Sequence, residues 1–247
     1  ACEWLNEAGV DTYRVLGGYK SMRAILRETL ATPPELIVLS GVTGSGKTLL
    51  LRQFSGPAID LEKMAQHRGS AFGGTGAQPS QQSFENRLAL SFLKYTKSAL
   101  VEDESRLIGR CEIPKNVKQK MYNAPVVELT ASIADRLAIT YEEYVAEPLR
   151  MGLAIEVLQQ SLQRSLDKIK PKLGGAMHKQ LTLALSHAMS DVHTVYAHEA
   201  WITPLLLNYY DPQYRHAFHS RPRHVLFSGH HHDVLSFVQE YFRSPEA

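Results

Sequence analysis

Eight consecutive residues carry the strongest chemical signal in this sequence. Positions 41–48 read Gly-Val-Thr-Gly-Ser-Gly-Lys-Thr, which matches the pattern G-x-x-x-x-G-K-[ST] in full. Glycines let consecutive backbone N–H groups turn towards one anion, and a helix that follows adds the positive end of its dipole. The segment predicts a phosphate site, with a lysine on the terminal phosphates and a threonine hydroxyl available to Mg²⁺. The predicted phosphate contacts are Gly41, Gly44, Ser45, Gly46, Lys47 and Thr48.

Acidic residues at two other places could complete such a site. Residues 100–104 read Leu-Val-Glu-Asp-Glu, and successive strand residues face opposite sides, so these acids cannot all face the phosphates. We prefer Asp103 as the acid that shares Mg²⁺ with Thr48, with Glu102 as the alternative. Asp60 and Glu62 follow another short apolar run. They are candidates for orienting a nucleophile or a water, and an exposed acidic pair is an equally good interpretation.

Cations near a glycine-rich segment are further candidates for phosphate contacts. Residues 63–80 are poor in apolar side chains and predict a long loop, which is usually functional or mobile. His67, Arg68 and Ser70 open this loop and, together with Arg87, could clamp a phosphate or pyrophosphate. Arg68 is also a catalytic candidate. The sequence does not choose among three more arginines, Arg106, Arg110 and Arg136.

Two cation-rich segments suggest a nucleic-acid surface. One spans residues 164–179 and contains a single acid, Asp167; the other spans 215–224 beside three tyrosines. Cations mixed with aromatic rings suit phosphate contacts and base stacking on unpaired RNA, although such a run is more often a solvated helix face. The RNA-binding candidates are Arg164, Lys168, Lys170, Lys172, Lys179, Arg221 and Arg223. No native metal site is expected at residues 230–232, which are three consecutive histidines without a cysteine at zinc spacing.

The pattern around these motifs predicts an α/β protein with a mostly parallel sheet. Short apolar runs predict strands at residues 12–16, 35–40, 58–61, 99–101, 126–129 and 225–227. Helical periodicity predicts helices over 19–31, 48–54, 83–97 and 232–242. Residues from about 131 to 220 are almost wholly helical in pattern and predict a helical subdomain. Its expected breaks are at Pro148, Pro171, residues 174–175, Pro204 and the turn at 209–212.

Composition bounds the class of protein. The chain has 247 residues, of which 44% are hydrophobic and 21% charged, values typical of a soluble globular protein. Its longest apolar stretch falls far short of the ~20 residues of a membrane span. The net charge of +2 does not by itself indicate a nucleic-acid partner. Two cysteines, Cys2 and Cys111, and no signal-peptide pattern lead us to expect a cytoplasmic protein without a membrane partner.

The motifs together resemble the bacterial tRNA 2-selenouridine synthases. The resemblance is carried by the loop at 41–48 and by Asp60-Leu61-Glu62 followed by His67-Arg68-Gly69-Ser70, and it covers nearly the whole chain. Further matching segments lie at residues 78–81, 84–87, 102–106 and 209–212. Residues 1–18 look like the last helix and strand of the rhodanese domain of that family. The resemblance thus implies a rhodanese remnant at 1–18 and a P-loop NTPase-like domain at 19–247.

The resemblance also implies an activity. Family members convert 2-thiouridine to 2-selenouridine at the wobble position in the anticodon of certain tRNAs. They use selenophosphate and pass through an S-geranyl intermediate made from geranyl diphosphate. The phosphate loop would hold the phosphorylated substrate, with Mg²⁺ or a nucleotide as further ligands, and an apolar groove at Leu173, Met177 and Leu181 would hold the geranyl chain. The preferred interpretation of those three residues is ordinary core.

The chain departs from the family pattern at one point, and two other functions are compatible with the sequence. The catalytic cysteine of the family lies in a rhodanese loop expected upstream of Ala1, and Cys2 does not sit in that motif. We therefore expect selenium transfer to need that missing upstream region. A phosphate loop in an α/β sheet with a helical lid-like region is also typical of a small-molecule or nucleotide kinase. The third possibility is a non-catalytic module regulated by a nucleotide.

Overall fold

The computed structural model describes residues 2–13, 15–74, 76–95, 97–220 and 222–244. Five strands form one parallel sheet in the order β2-β3-β1-β6-β7, and two short strands form a separate antiparallel hairpin. The strands are β1 (Glu35–Ser40), β2 (Ala58–Ile59), β3 (Ser98–Glu102), β4 (Leu107–Ile108), β5 (Cys111–Glu112), β6 (Val126–Leu129) and β7 (Val225–Gly229). The predicted α/β class with a parallel sheet is confirmed.

Helices cover both faces of the sheet and form the subdomain beside it. Those before β6 are α1 (Cys2–Glu7), α2 (Gly18–Ala31), α3 (Lys47–Gln53), α4 (Leu61–Ala65), α5 (Gln81–Lys94) and α6 (Lys115–Asn123). Those after it are α7 (Ile133–Tyr141), α8 (Glu147–Arg150), α9 (Ile155–Leu173), α10 (Gly175–Ala188), α11 (Val195–Leu205), α12 (Asp211–His219) and α13 (His231–Tyr241). None of these described helices combines the length and the apolar character needed to cross a bilayer.

Strand β1 shows why the sheet is buried on both faces. Its side chains alternate, so that Leu36 and Val38 pack with α2, α4 and α5 while Ile37 and Leu39 pack with α3 and α13. All four side chains are at most 4% exposed. A strand that is covered on both faces reads as a continuous apolar run, as the sequence ELIVLS does. The end of β1 therefore has a fixed position, and the phosphate loop starts from it.

The helical subdomain has its own core. Trp201 and Ile202 of α11 are buried against leucines of α9 and α10, and Val145 packs into the same cluster. Two π-helical segments, Glu142–Ala146 and Leu206–Tyr210, interrupt continuous helices between α7 and α8 and between α11 and α12. Such segments are rare and occur mostly at functional sites. Here both lie beside the phosphate loop.

Several expected elements differ in the structure. The strand predicted at 12–16 is wrong, because the described residues there are irregular and lie outside the sheet, while Arg14 lies outside the described residues. The expected breaks at Pro171, Pro204 and the turn at 209–212 are also wrong. Pro171 lies inside α9 and Pro204 inside α11, and a π-helical segment carries the chain from α11 into α12. The hairpin β4–β5 and helix α6 were not predicted.

A buried ion pair joins the subdomain to the phosphate loop. Arg136 of α7 donates to both carboxylate oxygens of Asp211 in α12, at 3.0 and 2.6 Å, and its Nε donates to the carbonyl of Thr43 at 3.0 Å. Both charged side chains are about 5% exposed. Arg136 is therefore not a phosphate contact, because two of its guanidinium nitrogens bind Asp211 and the third binds the backbone of the loop.

Removal of one partner from this pair should be costly. We expect Asp211→Ala to lower the free energy of unfolding by about 3–5 kcal/mol, because an unpaired guanidinium would stay buried. Urea denaturation measures the change. Asp233→Ala is the matched control, since Asp233 also lies in the first turn of a helix but is exposed, and it should change the free energy by less than about 1 kcal/mol. Equal effects of the two substitutions would contradict the role given to the pair.

Candidate functional site

The phosphate loop has the shape of an anion cradle. Gly44 has a φ of 78°, and a Cβ there would lie 2.7 Å from the hydroxyl of Thr140 in α7, so both the conformation and the close approach require glycine. The amide of Ser45 bonds to the carbonyl of Val42 at 3.1 Å. Within the described ranges, the amides of Gly44, Gly46 and Lys47 have no hydrogen-bond acceptor. These amides are available to an oxyanion at the start of α3.

The ammonium group of Lys47 folds back over this loop. Its Nζ donates to the carbonyl of Gly41 at 2.9 Å and to that of Val42 at 3.5 Å. No carboxylate lies within ion-pair distance of Lys47 among the described residues. A cation that is satisfied only by carbonyl oxygens can turn to a phosphate without breaking an ion pair.

Glu62 is the carboxylate beside Thr48. The hydroxyl of Thr48 donates to Oε2 of Glu62 at 3.4 Å, and the amide of Gly69 donates to Oε1 of the same group. Glu102, at the end of β3, accepts the backbone N–H of Glu62 at 2.8 Å through Oε1, whereas its buried Oε2 has no partner among the described residues. Glu104 lies against Gly69, where a Cβ would come within 2.2 Å of its carboxylate. These contacts hold three carboxyl groups around one end of the loop.

Burial and mutual repulsion raise the pKa values of these three acids. Burial raises the pKa of Glu62, and the Gly69 amide and the Lys47 charge only partly oppose it. The pKa of Glu102 is raised well above its ordinary value by burial and then by the charges of Glu104 and Glu62. Burial and the Glu62 charge raise the pKa of Glu104 to about 8. The cluster can therefore hold and exchange protons near neutral pH.

Asp103 has a different environment from these acids. Its Oδ2 accepts from a guanidinium nitrogen of Arg223 at 2.7 Å and from the hydroxyl of Ser40 at 2.9 Å. Burial would raise its pKa, but the charge and hydrogen bond of Arg223 outweigh burial and lower it. We expected Asp103 to share Mg²⁺ with Thr48. The structure instead pairs Asp103 with a buried arginine and places Glu62 next to Thr48.

Arg68 ties the glycine-rich loop to the helical subdomain. Its guanidinium donates to the carbonyl of Glu143 and to the carboxylate of Glu147, and lies 5.2 Å from the centre of the Tyr144 ring. Ser70 and Tyr144 share a hydrogen bond of 2.7 Å between their hydroxyls. The loop therefore forms a wall between the sheet domain and the first π-helical segment.

Two cavities meet at this wall. The phosphate cavity, of about 530 Å³, is lined by the loop at 41–48, by Glu102, Asp103 and Glu104, and by residues of both π-helical segments. The apolar groove, of about 770 Å³, runs between the glycine-rich loop and α9. Its apolar lining includes Phe72, Met151, Leu153, Val157, Leu158 and Leu162. Both cavities share the side chains Thr48, Glu62, Arg68, Glu143 and Tyr144.

Other predicted site residues lie elsewhere. Asp60 lines the apolar groove and caps α4 by accepting the Lys63 amide at 2.7 Å. Three arginines face away from both cavities: Arg87 donates to the carbonyl of Met64, Arg110 to that of Gln78, and Arg106 pairs with Glu112. Of the two interpretations of Leu173, Met177 and Leu181, ordinary core is confirmed and a groove is not, since all three pack into the core of the helical subdomain.

The predicted RNA contacts fall into distinct places. Lys172 lines the phosphate cavity and Arg164 the apolar groove, and Lys168 lies between them on α9. Lys170 and Lys179 are exposed but line neither cavity. Arg223 is 9% exposed and paired with Asp103, so it is not part of a free cationic surface. Arg221 lies outside the described residues.

Sequence reasoning missed the contribution of the helical subdomain to the site. Glu143 and Tyr144 come from one π-helical segment, and Tyr209 and Tyr210 from the other. The pair Tyr209-Tyr210 is visible in the sequence as a predicted turn and as aromatic neighbours of a cation-rich segment, but neither pattern places it at the phosphate loop. No pattern in the sequence marks a π-helical segment.

A parallel sheet whose central strand leads through a glycine loop into a helix defines a P-loop phosphate-binding domain. Residues 34–244 match the family model described as "tRNA 2-selenouridine synthase AAA domain". The chain belongs to the tRNA 2-selenouridine synthase family.

Individual relatives agree with this assignment over nearly the whole chain. A protein named tRNA 2-selenouridine synthase from Pseudomonas fluorescens is 40% identical over 261 residues, covering 98% of this chain and 71% of the relative. Proteins of the same name from Shewanella loihica and Bordetella petrii are 40% and 38% identical, covering 97% and 99% of this chain and 69% of each relative. No solved structure matches the chain.

The first prediction for the site concerns Lys47. We expect Lys47→Ala to weaken pyrophosphate binding about 10- to 100-fold, because a charge-assisted hydrogen bond to a phosphate contributes about 1.5–3 kcal/mol. Isothermal titration calorimetry measures the affinity. Lys97→Ala is the control, since Lys97 precedes β3 at the opposite end of the sheet from the loop. An unchanged affinity in the Lys47 variant would contradict the cradle.

The second prediction concerns the pH dependence of stability. Glu104 binds a proton up to about pH 8 in the folded state but only up to about 4.5 when unfolded. Its contribution to the free energy of unfolding should therefore fall as pH rises through this window, by at most about 1.4 kcal/mol per pH unit. We expect Glu104→Gln to flatten the profile measured by urea denaturation from pH 5 to 8. Glu28→Gln, on an exposed position of α2, should leave it unchanged.

Proposed function

We propose that this protein converts 2-thiouridine to 2-selenouridine at the wobble position of tRNA, with selenophosphate as the selenium donor and an S-geranyl intermediate. Membership of the family supports the overall reaction, since the relatives bear the name tRNA 2-selenouridine synthase. A reaction on tRNA also suits a protein of the cytoplasm. The intermediate rests on the shape of the site.

One observation carries the geranyl step. A polar cavity with an anion cradle opens onto an apolar groove, and the two share the side chains of Thr48, Arg68 and Tyr144. A ligand that fills both must have an anionic head and an apolar tail. Geranyl diphosphate has this form, whereas ATP or selenophosphate alone would leave the apolar groove empty. The same cradle can hold selenophosphate after diphosphate has left.

The residues around the cavities suit prenyl transfer to sulfur. The free amides of the loop and the Lys47 ammonium bind the diphosphate, and Arg68 is in reach from the shared wall. The C2 sulfur of the base attacks C1 of the geranyl group, so that a C–S bond forms, the C1–O bond breaks and diphosphate leaves with the electron pair. The N3 proton of the base must pass to an acceptor. Glu104 lines this cavity and, with a pKa of about 8, can take up such a proton near neutral pH.

The donor set beside the loop also fits a magnesium ion. Mg²⁺ prefers oxygen ligands and keeps several waters when it binds through a carboxylate and substrate phosphates. Thr48 and Glu62 offer a hydroxyl and a carboxylate next to the cradle, and Oε2 of Glu102 lacks a partner among the described residues. No three His, Cys, Asp or Glu side chains converge as a metal cluster across the described ranges. Mg²⁺ would supply charge neutralisation for the diphosphate.

The selenium step exchanges geranylthiol for selenium at C2 of the base. We assign no nucleophilic thiol in this chain to it, because Cys111 is buried within strand β5 of the hairpin and Cys2 does not sit in the rhodanese motif. The resemblance assigns that thiol to a rhodanese region, of which residues 1–18 are the proposed remnant.

An assay of geranyl transfer tests this function. We expect the protein to form S-geranyl-2-thiouridine from thiolated tRNA and geranyl diphosphate, as detected by mass spectrometry of the digested nucleosides. Val157→Asp places a charge in the apolar groove and should weaken geranyl diphosphate binding at least about 10-fold, since a carboxylate would replace an apolar side chain that the geranyl chain would cover. Pyrophosphate binding should stay unchanged.

Leu183→Asp is the matched control for this variant. Leu183 lies on α10, is 53% exposed, and lines neither cavity. It should change neither affinity. Equal affinities of the unsubstituted protein for geranyl diphosphate and pyrophosphate would contradict the geranyl step. ATP turnover stimulated by a small acceptor, and indifferent to tRNA, would favour a kinase instead.

A further inference from the structure

Three cations on α9 form a single row, which we call the cation stripe. Arg164, Lys168 and Lys172 are spaced four residues apart, so they lie on one face of the helix, and all three are exposed. At 1.5 Å per residue the row is about 12 Å long. Such a row can contact more than one phosphate of an extended strand.

The cation stripe runs along the mouths of both cavities. Lys172 lines the phosphate cavity, and Arg164 lines the apolar groove. Lys168 stands between them on the same face of α9, and its charge adds to burial in lowering the pKa of His67 in the glycine-rich loop. His67 itself lines the groove. The stripe is therefore a border of the site rather than a remote surface.

The charges of the stripe are not neutralised within the described residues. None of its three cations has an acidic partner within ion-pair distance, and Arg164 donates only to the carbonyl of Gln160 on its own helix. Asp167, the single acid of this segment, pairs instead with His178 at 2.8 Å. An unpaired cationic row beside a site indicates an anionic partner that approaches the site.

Aromatic rings of the phosphate cavity suit the same partner. Tyr209, Tyr210 and Tyr214 line this cavity together with Lys172. Single-stranded RNA is bound by cations that follow its backbone and by aromatic rings that stack on its bases. An acidic protein or an anionic membrane would use the cations but not rings inside a cavity.

We propose that the cation stripe binds the RNA backbone next to the nucleotide that enters the phosphate cavity, an inference that rests on the proposed function. Arg164, Lys168 and Lys172 contact consecutive phosphates of the anticodon strand. The other basic residues of this region, Lys170 and Lys179, take no part. The stripe thus fixes which base reaches the site, while the cavity performs the chemistry.

Two triple variants, each of which loses three positive charges, test this inference. The stripe variant carries Arg164→Gln, Lys168→Gln and Lys172→Gln, and the matched variant carries Lys97→Gln, Lys170→Gln and Lys179→Gln. Dissociation constants for tRNA are measured from about 50 to 200 mM salt, where phosphate contacts weaken most steeply. We expect the stripe variant to bind about 10- to 100-fold more weakly, with a salt slope reduced by about one unit per lost contact. The matched variant should stay within about threefold of the unsubstituted protein.

The outcomes separate this inference from the proposed function. Equal losses in the two variants, or tRNA binding by the stripe variant with an unchanged salt slope, overturn the stripe and leave the function standing. Failure of the unsubstituted protein both to bind tRNA and to transfer a geranyl group overturns both. Circular dichroism checks folding, and the single variant Lys168→Glu, at the centre of the row, should by itself weaken binding if the triple variant does not fold.

Discussion

The buried pair of Arg136 and Asp211 is the contact on which the site depends most. It lies where the phosphate loop, α7 and α12 meet, and the same guanidinium holds the carbonyl of Thr43. A buried ion pair adds little net stability compared with apolar residues, but separation of its partners would leave an unpaired charge in the interior. We infer that this pair acts mainly by positioning. It fixes the phosphate loop so that the loop amides stay available to an anion, and it holds the π-helical segments beside the loop.

A second constraint is electrostatic. Glu62, Glu102 and Glu104 crowd one end of the cradle, and burial makes their full ionisation costly. The positive charge of Lys47 partly opposes this effect at Glu62 and Glu104, and the amide of Gly69 joins the glycine-rich loop to Glu62. A phosphorylated ligand brings more negative charge, so its binding must be accompanied by protons, a cation or both. The site thus combines an anion cradle with a store of exchangeable protons.

The sequence was sufficient for the sheet, for most helices and for the cradle, because these depend on local periodicity and on one unmistakable pattern. Strand β1 reads as a buried strand and residues 41–48 as a phosphate loop without any tertiary information. Long-range partners were not predictable. Asp103 looked like the metal acid by its place at the end of β3, and only the fold shows that Arg223, 120 residues later, is paired with it. Likewise, the apolar groove is assembled from the glycine-rich loop and α9, which no spacing rule connects.

The two π-helical segments have one more consequence. A π-helical turn is an α-helix with one residue inserted, and loss of that residue would restore regular α geometry. Because the π turn takes up its extra residue locally, the helix on either side would keep its facing, and the change would be confined to the side chains within the segment. Tyr144 lies in one segment and Tyr210 in the other, so the wall of the cleft would change its spacing even though no aromatic residue had been replaced. A single-codon deletion in either segment could therefore reshape what the cleft accepts, which makes the length of these helices, and not only their amino acids, a target of selection.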